Sequence, residues 1–455
     1  MKLFLLLPFI IFGLSANATD YYVSANGNDA NNGTSTSTPW RTLNKVNSYF
    51  SSLQPGDRVL LNRGDVFYGS ITVNKSGTSG APITIGAYGS GAKPVITGFT
   101  TVTSWNDLGG NIWESSNAVS TLPYTNMVTV NGVNTAMGRY PNSGMLYYQS
   151  HSGQNQITSN GLTGSPNWTG AELALFVTTY TIGRNLITTQ SGGTLTFNND
   201  PLDGNIQRDN QGFIIQNDAR TLDTDNEWYY NPSTKKLRIY SIIRPSNVKI
   251  ATVETLMHIE GKKSYITVDG IAFEGSNSAS VSLVNAGYTS VKNCDLNFSG
   301  KDAIYGPYGG PSPNVLIENC SLNNSNGSGI DLSGDFSNAT IRLNTIKNSG
   351  TVMGMGGSGD SHNAISITGI KSLVEYNIIN NAGYKAINFY GDNSTIQYNH
   401  IDGYCILLHD GGGIYTFNGS GVSHTGMKIS NNIILNGITN PGIYSDEKAN
   451  GIEIS

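Results

Sequence analysis

The stretches Val374-Glu375-Tyr376-Asn377-Ile378-Ile379 and Ile396-Gln397-Tyr398-Asn399-His400-Ile401 share one pattern, with apolar residues three positions before and two positions after an asparagine. The pattern recurs through the second half of the chain with Asp, Cys or Asn at its central position. The central residues are Asp269, Cys294, Cys320, Asn344, Asn377, Asn399 and Asn432, separated by 25, 26, 24, 33, 22 and 33 residues. Such a period is typical of a solenoid, whose repeats bury apolar side chains only against their neighbours.

A separation of 22 to 26 residues corresponds to one coil of short strands and turns, and the longer coils carry a loop. We therefore predict an all-β protein whose C-terminal half is a right-handed parallel β-helix. Stacked coils lie about 4.8 Å apart, so the asparagines of successive coils can hydrogen-bond one another as a ladder. We interpret Cys294 and Cys320, on adjacent coils, as small apolar fillers of this ladder. A disulfide is the alternative.

A second series of residues lies about ten positions further along each coil. Its members combine a small residue, an isoleucine and a variable residue: Ala303-Ile304-Tyr305, Gly329-Ile330-Asp331, Ala364-Ile365-Ser366, Ala386-Ile387-Asn388 and Gly442-Ile443-Tyr444. Alternate side chains of a strand point to opposite faces, so we expect the isoleucines inside and the variable residues outside. This outward row suits an extended glycan chain.

The composition fits many short strands and turns, because 13% of residues are charged and the 455-residue chain contains 55 glycines. A net charge of -5 argues against a nucleic-acid partner, which requires a basic face. The first residues combine one lysine, an apolar run from Leu3 to Leu14 and the ending Ser15-Ala16-Asn17-Ala18. This pattern predicts a cleaved signal peptide over residues 1–18, too short to span a membrane. We expect a secreted monomer, extracellular or periplasmic.

The mature chain divides into three predicted parts. Residues 19–98 form an N-terminal cap and the first β-helix strands, with a capping helix that begins at Thr38-Pro39 and ends before Pro55-Gly56. Residues 99–250 form an inserted β-rich domain, with a hairpin around Asn231-Pro232-Ser233-Thr234. We expect the aromatic residues of this domain to pack in its core. The alternative is that they form a surface on which sugar rings stack. Residues 251–455 form the coils, and the final Gly451-Ile452-Glu453-Ile454-Ser455 resembles the start of a further coil, so we expect this part to be C-terminally incomplete.

The run His409-Asp410-Gly411-Gly412-Gly413 is the most distinctive candidate for chemistry, because consecutive glycines let a loop pack close to a groove. Placing Leu407 at the strand position of Ile387 and Ile443 puts Asp410 and Asp446 on equivalent positions of adjacent coils. Their spacing of about 4.8 Å would suit the carboxyl pair of a retaining glycosidase, and mutual repulsion would raise one pKa. If Ile414 occupies the strand position instead, the two aspartates separate, and both are then ordinary surface acids.

The sequence Tyr21-Tyr22-Val23-Ser24-Ala25-Asn26-Gly27-Asn28-Asp29 resembles the N-terminal sequence that many secreted, pectate-lyase-like β-helix proteins share. The run Asp410-Gly411-Gly412-Gly413-Ile414-Tyr415-Thr416, followed by Gly442-Ile443-Tyr444-Ser445-Asp446, resembles the β-helical glycoside hydrolases of family 141 and, more distantly, family 120. In those enzymes two acids on the helix face perform the chemistry. The resemblance implies Asp410 and Asp446 as catalytic residues, with Glu447 as an alternative for the second role.

Other polar and aromatic residues are candidates for substrate binding. They are His362, Asn363, Asn388, Tyr390, His409, Tyr415 and Tyr444. The first two end a glycine-rich loop in the first long coil, and long loops often form the walls of grooves. His362 is otherwise a solvated loop histidine, and His409 is either a modulator of Asp410 or a turn residue.

Three functions follow from these features. The favoured function is a glycoside hydrolase that degrades a plant or algal polysaccharide with two carboxylates and without a cofactor or metal. The alternative enzyme is a uronate lyase, which needs a base such as Lys385 and Ca²⁺ held by several acids. The third is a glycan-binding β-helix without catalysis.

Overall fold

The computed structural model describes residues 18–198, 207–359 and 361–455. The predicted signal peptide lies, except for its last residue, outside these ranges. The body of the protein is a right-handed parallel β-helix, built from three parallel sheets that we call sheets 1, 2 and 3. Within the described ranges, every helix is too short or too polar to cross a membrane.

Sheet 1 contains the first apolar residue of each repeated pattern and extends from the N-terminal strand to the last coil. The second apolar residue of every pattern after the first lies in sheet 2, and the asparagines lie in the turns between the two sheets. Its strands are, in order of hydrogen bonding, Asp20–Val23, Arg58–Asn62, Ile83–Tyr88, Ile266–Asp269, Thr289–Lys292, Leu316–Glu318, Thr340–Arg342, Leu373–Glu375, Thr395–Gln397, Met427–Ser430 and Ile452–Ile454. Arg58–Asn62 and Ile83–Tyr88 are among the first β-helix strands expected within residues 19–98.

Sheets 2 and 3 form the other two faces of the β-helix. Sheet 2 comprises Val66–Tyr68, Val95–Thr97, Ala272–Ser276, Asp295–Ser299, Ser321–Asn323, Thr345–Ser349, Ile378–Ala382, His400–Tyr404 and Ile433–Gly437. Sheet 3 comprises Ile71–Thr72, Met257–Glu260, Val281–Val284, Ile304–Tyr305, Ile330–Leu332, Ile365–Thr368, Ile387–Tyr390, Ile414–Asn418 and Ile443–Glu447. Sheet 3 carries the outward row of variable residues and thus the candidate site.

The predicted ladder of asparagines is confirmed. Asn344 donates from Nδ2 to Oδ1 of Asn377 at 3.0 Å, and Asn377 donates in the same way to Asn399 at 2.9 Å. Asn399 continues the ladder to Asn432 at 3.0 Å. Cys294 and Cys320 are free and buried, as expected of fillers. The inward-facing isoleucines Ile304, Ile330, Ile365, Ile387 and Ile414 of sheet 3 are buried in one continuous core, where each stabilises the fold by about 1.5–3 kcal/mol.

A short helix, α1 (Leu43–Tyr49), continues into the 3₁₀-helix Phe50–Ser52 and packs at the N-terminal end of the core. The predicted start at Thr38-Pro39 was wrong, because Thr42 is the N-cap and accepts from the Lys45 amide. Asp29 fixes this start, since its carboxylate binds the amide and hydroxyl of Thr42.

Within one coil, between its sheet 2 strand Val95–Thr97 and its sheet 3 strand Met257–Glu260, the chain forms antiparallel sheets, which we call the antiparallel region (residues 99–251). One sheet contains Phe99–Val102, Val128–Val130, Val133–Asn134 and Val248–Ala251, and another contains Trp105–Asp107, Ile112–Ser115, Trp228–Asn231 and Lys236–Tyr240. The largest contains Arg139–Tyr140, Leu146–Tyr147, Ser150–Ser152, Gln156–Thr158, Glu172–Thr178, Thr181–Ser191, Thr194–Phe197 and Gly212–Gln216. A second 3₁₀-helix spans Ala219–Thr221.

The antiparallel region interrupts the β-helix without breaking its stack, because Val95–Thr97 pairs directly with Ala272–Ser276. The hairpin expected around residues 231–234 is present, joining Trp228–Asn231 to Lys236–Tyr240. Trp105, Trp168 and Trp228 are buried, so these aromatic residues belong to the core. The region also contacts the coils through an antiparallel bridge between Ile182 and Gly359.

Candidate active site

The outward row of sheet 3 passes through Asn388, Tyr415 and Tyr444, which are directly paired on three successive coils. Ile414 pairs with both Ile387 and Ile443. The strand position therefore belongs to Ile414, and the predicted placement of Leu407 there was wrong. Leu407 lies in the bend before the strand and packs only partly against the core.

This register changes the relation between the two aspartates. Asp446 pairs with Phe417 and lies two residues beyond Tyr444 on the same face of its strand. Asp410 precedes the neighbouring strand, so the two aspartates do not occupy equivalent positions, and the spacing of one coil expected between them does not apply. The side chain of Tyr444 nevertheless links them.

Asp446 is held by two hydrogen-bond donors. The Tyr415 hydroxyl donates to its Oδ2 at 2.6 Å, and the Glu447 amide donates to its Oδ1 at 2.7 Å. These two donors fix the position of the Asp446 carboxylate. Tyr415 is 6% exposed, and burial together with the hydrogen bond to Asp446 raises the pKa of its hydroxyl.

Asp410 is exposed and has a left-handed backbone conformation, with φ of 61°. Its Oδ1 accepts from the Tyr444 hydroxyl at 3.3 Å. Burial, followed by hydrogen bonding to Asp446 and contact with Asp410, raises the pKa of Tyr444 to about 12. The rings of Tyr415 and Tyr444 meet edge-on, with centroids 5.5 Å apart. Asp410, Asp446, Tyr415 and Tyr444 therefore form one cluster, which we call the aspartate pair site.

Tyr384 and Lys385 support this site from beneath. The Tyr384 hydroxyl donates to the Asp410 carbonyl at 2.9 Å. The Lys385 ammonium lies 4.4 Å from the centroid of the Tyr384 ring and 4.1 Å from that of Tyr415, in cation–π contact with both. Lys385 is only 3% exposed. A Cβ atom on Gly411 would lie 2.6 Å from Cε2 of Tyr384, so this glycine serves close packing.

Next to the aspartate pair site, on earlier coils of sheet 3, lies a cavity of about 620 Å³. We call it the sheet-3 cleft. Its lining includes Lys301, Asp302, Tyr305, Asp331, Asn363, Ser366, Asn388 and Tyr390. A second cavity of about 510 Å³ at the antiparallel region shares Lys301, Gly357 and Ser358 with it. The predicted substrate-binding residues Asn363, Asn388 and Tyr390 therefore line one cleft.

Asp302 is the most unusual acid of this cleft. It is 8% exposed, and its Oδ1 accepts from the Ser328 amide at 2.6 Å. Burial raises the pKa of Asp302 to about 6. Tyr305 lies close enough to both Asp302 and Asp331 that their charges, together with burial, raise the pKa of its hydroxyl.

Three predicted site residues lie apart from the proposed chemistry. His362 is completely buried, and its ring contacts the Met355 carbonyl and the Ser361 hydroxyl, so the prediction of a substrate contact or a solvated histidine was wrong. His409 is exposed, and its amide donates to the Thr179 carbonyl of the antiparallel region. Glu447 is exposed and reaches Asp446 only through its amide.

Sequence reasoning missed Asp302 and the supporting role of Tyr384 and Lys385. The sequence does contain a signal for Asp302 and Lys385. It lies in the residue that precedes each pair of a small residue and an isoleucine in the second series. At this position successive coils carry Asp302, Ser328, Asn363 and Lys385, and all four are buried. A buried polar row directly behind an outward polar row indicates a cleft, because buried polar groups require partners.

The lyase alternative requires Ca²⁺ held by several acids. Among residues 18–198, 207–359 and 361–455, no three His, Cys, Asp or Glu side chains are grouped so as to hold a metal ion.

Comparisons with known proteins agree with the architecture. A family model described as a right-handed beta helix region matches residues 259–455. A segment of 121 residues is 41% identical to lacto-N-biosidase of Bifidobacterium longum subsp. longum, a match that covers 26% of this chain and 7% of that protein. A solved structure described as a glycoside hydrolase superposes with a TM-score of 0.69 at 15% identity, over 95% of this chain and 89% of the other. The last similarity shows the fold.

Proposed function

We propose that the protein is a glycoside hydrolase whose catalytic residues are Asp410 and Asp446. The observation that carries this proposal is the pair of tyrosines on sheet 3, whose ring centroids lie 5.5 Å apart. The Tyr444 hydroxyl donates to Asp410 and the Tyr415 hydroxyl donates to Asp446. Glycoside hydrolysis requires two carboxyl groups that flank one bond, one as proton donor and the other as nucleophile or base.

The surroundings of the two aspartates suggest their roles. Asp446, held by Tyr415 and the Glu447 amide, is the group that attacks the anomeric carbon or activates a water molecule. Asp410, which is exposed and has one longer hydrogen bond from Tyr444, delivers a proton to the glycosidic oxygen as the C–O bond breaks. The leaving sugar departs with that proton.

The similar proteins support this class of reaction. The name of the curated relative is that of a glycosidase, but the shared segment is short, so its substrate is one candidate among several. The assignment to family 141, or more distantly 120, rests on the Asp410 and Asp446 runs. The N-terminal residues suggest export, which fits action on a plant or algal polysaccharide outside the cytoplasm.

The lyase alternative is less compatible with the geometry. Its base would be Lys385, which must reach the α-proton of a uronate. Lys385 is 3% exposed and lies against the rings of Tyr384 and Tyr415. The experiment below distinguishes hydrolysis from glycan binding without catalysis.

The test uses the wild-type protein, Asp410→Asn and Asp446→Asn on a panel of neutral and uronate-containing polysaccharides, nitrophenyl glycosides and lacto-N-biose-containing oligosaccharides. We expect release of reducing ends without the absorbance of unsaturated uronates. Each substitution should lower kcat/KM by at least about 100-fold. Glu453→Gln, at an exposed acid of sheet 1, is the matched control and should retain activity, and Glu447→Gln tests the alternative second acid.

Full activity of both asparagine variants would rule out the assigned residues. Unsaturated products that disappear in Lys385→Ala would establish a lyase instead. Binding to a glycan without any product would leave the protein in the non-catalytic class.

A further inference from the structure

The sheet-3 cleft has the properties of a built binding site. It opens beside the aspartate pair site, because Asn388 lines the cleft and is paired with Tyr415. Its volume of about 620 Å³ lies within the range of ligand pockets. The geometry points to a subsite in which this cleft holds uncharged sugar units of the glycan, through their hydroxyl groups, and disfavours uronate units. This inference rests on the proposed function and specifies its substrate class.

Asn388 provides the first argument. Its side chain is 6% exposed, and its Nδ2 donates to the Ser366 hydroxyl at 3.1 Å. Its Oδ1 is buried and lacks a hydrogen-bond donor among the described residues. An unsatisfied buried acceptor costs free energy, and a sugar hydroxyl is a donor that would satisfy it.

The charges of the cleft provide the second argument. Its charged lining within the described residues consists of Lys301, Asp302 and Asp331, so acids outnumber bases. Carboxylates accept hydrogen bonds from sugar hydroxyls. They repel the carboxylate of a uronate, and a like charge brought into a desolvated site is strongly disfavoured.

The aromatic residues provide the third argument. Tyr305 and Tyr390 lie at the cleft with partly exposed side chains. Tyrosine offers an apolar ring and a polar tip, a combination that suits the apolar face and the hydroxyl groups of a sugar. Tyr390 also lies close enough to Tyr415 that it contributes to the raised pKa of that hydroxyl. A glycan in the cleft would therefore continue into the aspartate pair site.

The test measures binding in the absence of turnover. The Asp410→Asn, Asp446→Asn double variant is applied to a printed array of neutral and uronate-containing plant, algal and host glycans. We expect the bound glycans to be neutral. Their Kd, measured by calorimetry, should rise at least 10-fold when Asn388→Ala is added. Asn323→Ala is the matched control, because Asn323 also donates from Nδ2 but lies on sheet 2, and it should leave the Kd unchanged.

A third variant examines selectivity directly. Asp331→Asn should allow the uronate-containing forms of a bound glycan to bind more tightly than they do to the parent double variant. Dominant binding of uronate-containing glycans, binding to none of the array, or an unchanged Kd in the Asn388 variant would each overturn the inference. Neutral glycan binding without hydrolysis by the wild type would instead contradict the proposed function and leave the cleft assignment in place.

Discussion

The hydroxyl of Tyr415 is the hydrogen-bond partner that most directly controls Asp446. Tyr415→Phe removes this donor but keeps the aromatic ring that contacts Lys385. Hydrogen bonds to charged groups are worth about 1.5–3 kcal/mol, so we expect kcat to fall about 10- to 100-fold with little change in the thermal midpoint. Tyr376→Phe, at an exposed stacked tyrosine, is the control. Equal kcat values for wild type and Tyr415→Phe would remove Tyr415 from the mechanism.

Asp302 makes a pH-dependent contribution to stability. Burial raises its pKa from 3.8 to about 6 in the folded protein. Between these values the carboxyl group ionises more readily in the unfolded chain, so rising pH lowers the free energy of unfolding. Above about pH 6 the full penalty is present, on the order of 3 kcal/mol. Below pH 4 most of it disappears, because the folded state is protonated and the unfolded chain becomes protonated as the pH falls past 3.8.

Asp302→Asn tests this penalty. The amide can still accept from the Ser328 amide but cannot ionise, so the variant should have a higher thermal midpoint than wild type at pH 8. At pH 4 the two proteins should unfold at closely similar temperatures. A difference of the same size at both pH values would show that Asp302 acts through shape and not through charge.

At the scale of the elements, the asparagine ladder is the device that keeps successive coils in register. Asn377 is fully buried, and its Oδ1 accepts from both the amide and the side chain of Asn344. Its Nδ2 donates to Asn399 and to the Ile341 carbonyl. Loss of these bonds would leave buried groups unpaired.

We therefore expect Asn377→Ala to lower the free energy of unfolding by about 2–4 kcal/mol, measured by chemical denaturation. Asn380→Ala, three residues further on the half-buried surface, should change it by less than about 0.5 kcal/mol. Equal effects of the two substitutions would mean that the ladder adds nothing beyond side-chain burial.

The ladder was predictable from sequence because its physical requirement repeats in every coil. The point at which an inserted loop leaves and rejoins its coil was not predictable. Between Asn399 and Asn432 both Leu408 and Ile414 are buried, so apolar character alone does not decide which residue enters sheet 3. Sequence reasoning consequently chose the neighbouring Leu407 and misplaced Asp410 relative to Asp446, although the tyrosine of the next coil still links the two carboxylates.

The sheet-3 cleft was less predictable for a related reason. Asp302 precedes a strand of an ordinary short coil, and the cleft that it lines is also lined by Gly357 and Ser358, more than fifty residues later in the chain. Tyr305, Asp331, Ser366 and Asn388 follow the period of the outward row and were visible in the sequence. The loop that forms the opposite wall of the cleft lies far along the chain, and its position was not visible in the sequence.

At the scale of the whole molecule, the antiparallel region positions that wall. Arg184 forms a two-pronged ion pair with Glu172, at 2.5 Å and 3.1 Å, and its Nη1 donates to the Gly356 carbonyl at 2.7 Å. Gln216 donates to the Gly354 carbonyl at 2.6 Å. Gly357 and Ser358 of the same loop line both cavities, so the two parts of the molecule build the cleft together.

Arg184→Lys tests this dependence, because an ammonium group cannot reproduce the planar fork of a guanidinium. We expect faster hydrogen exchange at the amide of Gly359, which donates to the Ile182 carbonyl, and at least 10-fold weaker glycan binding. Arg220→Lys is the control, because Arg220 also forms a two-pronged pair, with Asp218, on an exposed surface. Unchanged exchange and binding in Arg184→Lys would show that the coils hold the loop without the antiparallel region.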